Sequence, residues 1–349
     1  MGLPNILISF KQMASTAIKR GNRGIVALIV IDTPIGVTHL EDITMIPAGL
    51  TVANKAYVER AFLGGTNAVK KVVLIVSDTL ANALNVLETQ KFDYVAGPHA
   101  ISAPEATSLA TFVKGLRDTK GIKVKAILPN NAGDHEAVIN FTTAGIVVGA
   151  ETFTAAQYCS RIAGLLAGTP LQMSATYYTL PEVKDVPKFT KSELDTKVDQ
   201  GQFVIFHDGE KVKVARAVNS LVTVGATKSD DYKSIKIVDI MDLIYSDIKR
   251  TCEDNYIGKF PNTYDNKVAL IVSVQAYLEA LREEQLLDQS IVTSINLVAQ
   301  KLYLKSTGVD TDSMTDQEIK EANTQTKVFI SSKYKILNAI EDISVEFFI

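Results

Sequence analysis

From residue 24 to about 170, short β-rich runs alternate with helical patterns, and this alternation restricts the fold more than any other feature of the chain. "GIVALIVI" (Gly24 to Ile31) is rich in β-branched residues with no polar alternation, as expected of a strand buried on both faces. "TVANKAYVERAFLGG" places Val52, Ala56, Val58, Ala61 and Phe62 at helical spacing and stops on a double glycine. "KVVLIVS" is the next strand, with Ser77 or Asp78 available to cap the helix "TLANALNVLETQK". "FDYVAG", the helix "PEATSLATFVKGLRDTK" with Pro104 in its first turn, and "IKVKAILP" close the series. Such alternation predicts an α/β layer on a mainly parallel sheet. "TAAQYCSRIAGLLAGTP" predicts a further amphipathic helix, ended by Gly168 and Pro170.

The pattern changes after Pro170. "YYTLPEVKDVPKFT", with Pro181 and Pro187, reads as a connector, and Thr190 and Glu193 have capping-box spacing. "QFVIFHDGEKVKVARAV" reads as a hairpin turning at Asp208-Gly209. Two long helices follow. Ile237, Ile240, Met241, Ile244, Ile248 and Cys252 form the apolar stripe of the first; Val268, Ile271, Val272, Leu278 and Leu281 form that of the second.

The chain has 349 residues, 46% of them hydrophobic and 21% charged, with a net charge of −3. That length accommodates two domains, and the near-neutral balance gives no basic footprint for nucleic acid. "GIVALIVI" falls far short of the ~20 residues that a membrane span needs, so no membrane insertion is expected. The N-terminus lacks the pattern of a secretory signal, which predicts folding in the cytoplasm. Cys159 and Cys252 form no CxxC pair, against a disulfide framework or zinc ribbon.

Catalytic patterns fail one by one. No serine has glycine at both G-x-S-x-G positions. His39, His99, His135 and His207 match no metal-ligand spacing, and G-x-G-x-x-G is absent. Gly258-Lys259 resembles the end of a phosphate-binding loop, but Glu253 stands where the first glycine belongs and Phe260 replaces the magnesium-holding Ser/Thr. Neither catalytic residues, a metal nor a cofactor is expected. The competing possibilities are an α/β hydrolase-like enzyme that oligomerises, with a triad built from distant residues, and a nucleotide-binding module using Lys259.

Both ends read as unpaired strands. Pro4, Ile6, Ile8 and Phe10 share one parity, as do Ile343, Val345, Phe347 and Ile349. Either the ends pair within their own domain, or each adds a strand to a neighbouring subunit by β-augmentation.

The segment from "FVIFHDGEKVKVARAVNSLVT" to "VALIVSVQAYLEALREEQLLD" resembles the tail sheath proteins of contractile phages and phage-tail-like bacteriocins. Four motifs carry the resemblance: "R-x-V-N-S/T-L" at Arg216 to Leu221, "I-V-D-x-x-D" beginning at Ile237, "Y-I-G-K-x-x-N" beginning at Tyr256, and "Y-L-x-x-L" beginning at Tyr277. The N-terminal "NILISFKQMASTAIKRGNRGIVALI" is similar to that of short family members.

The resemblance implies a structural, non-enzymatic protein of α/β class. It implies an outer α/β domain of subtilisin-like topology at 21–172, and an α+β inner domain at 173–335. Residues 1–20 would be an N-terminal linker strand joining the inner domain, and 336–349 a C-terminal one. Ile6, Ile8, Phe10, Ile343, Val345, Phe347 and Ile349 would mediate inter-subunit strand exchange. The partners implied are other copies in stacked hexameric rings, an inner tail tube protein, and baseplate and tail terminator proteins. The particle would assemble in the bacterial cytoplasm and be released as a virion or phage-tail-like device. Lys233, Lys236, Lys249 and Arg250 are the candidates for contact with an acidic tube.

Overall fold

A computed structural model describes residues 17–21, 23–226 and 228–348. They fall into two compact units: the described residues of 21–246 with 338–348, and residues 17–20 with 247–337. One boundary between the units falls at Ser246. Val212, Val214, Ala217 and Ile235 share the core of the preceding α/β layer, which keeps them in the larger unit.

The larger unit is built on a seven-stranded sheet. Its strands are β1 (Ile25–Ile31), β2 (Gly36–Leu40), β3 (Lys71–Ser77), β4 (Tyr94–Ala96), β5 (Lys125–Pro129) and β6 (Val138–Phe141). A short hairpin of β7 (Ile146–Val148) and β8 (Glu151–Phe153) precedes the last sheet strand, β9 (Gln202–Phe203). The order is β2-β3-β1-β4-β5-β6-β9, parallel throughout except for β2. The expected series thus extends past "IKVKAILP". β6 and β9 are too short to announce themselves by periodicity.

Helices cover both faces: α1 (Val52–Phe62) and α4 (Ala155–Ala167) on one, α2 (Leu80–Leu87) and α3 (Ala103–Asp118) on the other. The alternation of side chains along a strand explains this sandwich. Val26, Leu28 and Val30 meet Tyr57 and Val58 of α1 and Ile162 of α4, while Ile25, Ala27 and Ile29 meet Leu80 and Ala83 of α2 and Leu109 of α3. On α1 the buried face is Asn54, Tyr57, Val58 and Ala61, and Val52 is exposed. The α2 cap is Thr79, whose side chain accepts from the Asn82 amide, rather than Ser77 or Asp78.

α4 is not the amphipathic helix expected; residues 158–167 are buried without a break. Its one arginine is accommodated because Arg161 Nε donates to Glu182 at 2.5 Å and Nη1 to the Gly64 carbonyl at 2.6 Å. Burial on this scale needs partners for every polar group. Two more elements follow, α5 (Lys191–Asp199), opened by the Thr190/Glu193 capping box, and the hairpin β10 (Ile205–His207) with β11 (Val212–Val214).

α6 (Ile235–Asn255) starts in the larger unit and ends in the smaller. The smaller unit continues with α7 (Tyr264–Glu283), β12 (Val292–Ile295), α8 (Leu297–Ser306), α9 (Asp316–Glu321) and β13 (Ile330–Lys333). β12 and β13 form an antiparallel two-stranded ribbon. No described helix is long and apolar enough to cross a membrane.

Candidate assembly interface

The four sequence motifs occupy four built sites. In the first, Asn219 is fully buried and donates to the Tyr232 carbonyl at 2.7 Å, while its Oδ1 accepts from the Leu221 amide. Ser220 Oγ bonds the backbone of His135. Arg216 reaches the far end of the chain: Nε lies 3.0 Å from Glu341 and Nη2 lies 2.6 Å from Asp342.

The second motif supplies the two aspartates of a buried ionic network on α6. Asp239 accepts from Tyr94 at 2.7 Å and pairs with Arg23 and, at 2.9 Å, Lys125. Asp242 pairs with Lys125 and, at 2.7 Å, with Arg117. Arg117 continues to Glu136 at 3.2 Å, and Glu136 to Lys228 at 2.8 Å. Burial opposes ionisation of Asp239, yet the flanking Arg23 and Lys125 charges win and hold its carboxyl below the ordinary range. Apolar periodicity places Ile237, Ile240 and Ile244 on α6 correctly, but it says nothing of this network. The available signal was two aspartates three residues apart in the otherwise apolar run from Ile237 to Ile244.

In the third motif, Gly258 adopts a φ of +74°, the left-handed turn that ends α6. Tyr256 anchors the loop through Ser273 at 2.9 Å, whereas Ile257 is 68% exposed. Asn262 Nδ2 donates to Thr324 Oγ1 and to the carbonyls of Gln325 and Lys327. Lys259 donates to the Asp254 carbonyl at the end of its own helix. The loop borders a cavity of about 870 Å³ inside the smaller unit, walled by Ile248, Leu270, Val274, Val328 and Ile330. In the fourth motif, Leu278 and Leu281 are fully buried and Tyr277 donates to Asp247 at 2.9 Å.

The C-terminal end is the most apolar exposed stretch. Beyond Leu337 no described residue forms strand pairing, and Ile343, Val345 and Phe347 are 78%, 63% and 86% exposed. Ile340 and Phe348, outside the expected parity, are equally bare. Ile6, Ile8, Phe10 and Ile349 lie outside the described residues.

Lys233 pairs with Asp230, Lys249 approaches Glu253 at 4.0 Å, and Arg250 bonds Asp247 and the Lys19 carbonyl. Lys236 is buried, which pushes its ammonium below the ordinary lysine range despite the attraction of Glu341. Lys233 and Lys236 belong to the larger unit, Lys249 and Arg250 to the smaller.

No catalytic set assembles among the described residues. The His99 ring meets Asn54, the His135 ring Asp118, and His207 Nδ1 accepts the Gly209 amide. No group of three or more His, Cys, Asp or Glu among the described residues is arranged to hold a metal.

Residues 75–220 match the phage tail sheath protein central domain, and residues 227–349 match the phage tail sheath C-terminal domain. The tail sheath protein of Clostridium phage phiCD119 is 39% identical over 352 residues, covering 99% of this chain and 98% of that protein. The chain belongs to the phage tail sheath family. Sheath proteins are structural components of contractile virions and phage-like particles, not enzymes. The mixed α/β fold is that of solved sheaths. The contracted helical sheath of the anti-feeding prophage superposes with a TM-score of 0.73 at 14% identity, covering 100% of this chain and 99% of that one. The sheath tail protein of Desulfitobacterium hafniense gives 0.67 at 16% identity, covering 84% and 94%. The likeness to these solved structures is one of fold.

Proposed function

We propose that this sheath subunit polymerises as stacked hexameric rings around an inner tail tube and contracts to drive that tube through a cell envelope. Residues 21–172 supply the outer, subtilisin-like α/β domain and residues 173–335 the inner domain of the sheath wall. The N- and C-terminal strands cross into neighbouring subunits, through Ile6, Ile8 and Phe10 at one end and Ile343, Val345, Phe347 and Ile349 at the other. Baseplate and terminator proteins cap the polymer, which assembles in the bacterial cytoplasm. Of the basic residues, Lys233, Lys249 and Arg250 remain the candidates for the tube.

The observation that carries strand exchange is the C-terminal arm, a run of large apolar side chains exposed in the isolated subunit. Such a run is covered by a partner or drives aggregation. The β12–β13 ribbon is a suitable receiver: two strands alone are marginal, and added strands would stabilise it. Val328, Ile330 and Ser332 alternate along the wall of the neighbouring cavity, where an incoming apolar strand gains burial. The test is co-expression with the tube protein, followed by negative-stain microscopy. Deleting residues 1–12, or replacing Val345 and Phe347 by Asp, is expected to give soluble protein without long sheaths. Normal tubular polymers from these variants would overturn strand exchange.

A further inference from the structure

The root of the C-terminal arm is held in an unusual way. Among the described residues, 338–348 make no backbone hydrogen bond to another segment. The segment from Asn338 to Asp342 borders a cavity of about 730 Å³ walled on other sides by Val198, Gly201 and Lys233, so close packing does not set its course. Ile340 is 87% exposed. What holds the segment are two neighbouring side chains, Glu341, only 15% exposed, and the exposed Asp342.

Both carboxylate oxygens of Glu341 are occupied. Oε1 accepts from Ser174 Oγ at 2.8 Å and from Thr176 Oγ1 at 2.7 Å. Oε2 lies 3.0 Å from Arg216 Nε. Thr176 Oγ1 accepts the Ala217 amide at 3.0 Å and has its proton left for the carboxylate. Ser174 Oγ accepts the Thr176 amide at 3.2 Å, and its one proton is shared between Glu341 at 2.8 Å and Thr176 Oγ1 at 3.0 Å. Ala217 directly follows Arg216, so the same turn of chain orients Thr176 and presents the guanidinium. The Lys236 ammonium adds attraction, and Asp342 takes the other side of Arg216. A carboxylate met by oriented donors and a guanidinium is a recognition site rather than a chance surface pair.

We infer that Ser174, Thr176 and Arg216 form a preformed carboxylate socket for Glu341, which fixes where the C-terminal arm leaves the larger unit and so aims it at a neighbouring subunit. Arg216 is a positioning residue for assembly. This rests on the exchanged C-terminal strand proposed above and gives the arginine of the "R-x-V-N-S/T-L" motif its task. A fixed root lowers the conformational entropy that the arm loses on docking, and it keeps the linked neighbour attached at one defined point.

The experiment uses the full-length subunit, with polymerisation followed by sedimentation and negative-stain microscopy, and thermal melting recorded on the soluble fraction. Glu341→Ala is expected to raise the concentration for half-assembly about tenfold, and Arg216→Ala about threefold, with little change in melting temperature. High salt is expected to weaken wild-type assembly more than that of Arg216→Ala. The exchange of Arg216→Glu with Glu341→Arg is expected to recover most of the loss of either single change. Truncation after Asp342 separates the two proposals. If truncation abolishes assembly while Glu341→Ala and Arg216→Ala polymerise like wild type, the socket is overturned and the exchanged arm stands. If the truncated chain itself polymerises normally, the exchanged arm is overturned and the socket loses its role with it.

Discussion

Tyr94 donates its hydroxyl to the Asp239 carboxylate at 2.7 Å, joining the start of a central strand to a helix that begins 141 residues later, at Ile235 (235 − 94 = 141). Around that bond the charges alternate: Arg23, Asp239, Lys125, Asp242, Arg117 and Glu136. Removing one member strands its buried partners. Asp239→Ala is therefore expected to cost about 3–5 kcal/mol of stability. Urea unfolding of the soluble subunit measures it, and a loss below about 1 kcal/mol would contradict the network's structural role.

Acid should loosen the same region. Burial raises the Glu136 pKa, but Lys228, His135 and Arg117 outweigh it and bring the group from 4.5 down to about 2. The folded state then binds fewer protons than the unfolded one, so this stabilisation is complete above pH 4.5 and is lost as pH falls toward 2. Burial pushes His135 below its ordinary 6.5 despite Glu136 and Asp118, which also disfavours the fold as pH drops. The urea midpoint is expected to decline from neutral pH toward pH 3, and less steeply in Glu136→Gln.

The Gly-Lys loop separates geometry from chemistry. Asn262→Ala removes three donated bonds and is expected to destabilise by about 1–3 kcal/mol. Lys259→Ala, at an exposed position, is expected to stay within about 0.5 kcal/mol of wild type. Neither protein should bind an ATP analogue in calorimetry; saturable binding abolished by Lys259→Ala would restore the nucleotide-binding alternative.

The contact of α1 with α4 depends on a missing side chain. A Cβ at Gly164 would stand 2.0 Å from the Ala61 carbonyl oxygen and 2.8 Å from its carbonyl carbon. Gly164→Ala is expected to force the helices apart at a cost of about 1–3 kcal/mol, seen as a lowered melting temperature. A change of less than about 0.5 kcal/mol would mean that the two helices move apart easily.

Local features were legible because their causes are local. The uninterrupted apolar run at Gly24 to Ile31 meant a strand covered on both faces, and Val26 and Ile25 do face opposite cores. Thr190 with Glu193 formed its capping box, and Asp208-Gly209 its hairpin turn, since each depends only on neighbours along the chain. The sheath motifs were legible as well, down to Arg216 and Asn262. Their contacts were not. Arg216 meets Glu341 and Lys125 meets Asp239 across more than a hundred residues, and no periodicity encodes such pairs.

By itself, then, the sequence determined the strand and helix types, the turn chemistry, the failure of every catalytic pattern and the family. Only the tertiary structure decided that the larger unit continues to Ser246, that α4 is buried from Tyr158 to Ala167, that Lys236 is buried, and that Glu341 is gripped while the residues after it are bare. The physical reason is that propensity and periodicity act within a few residues. Burial and charge pairing are set by whichever distant segments the fold brings into contact.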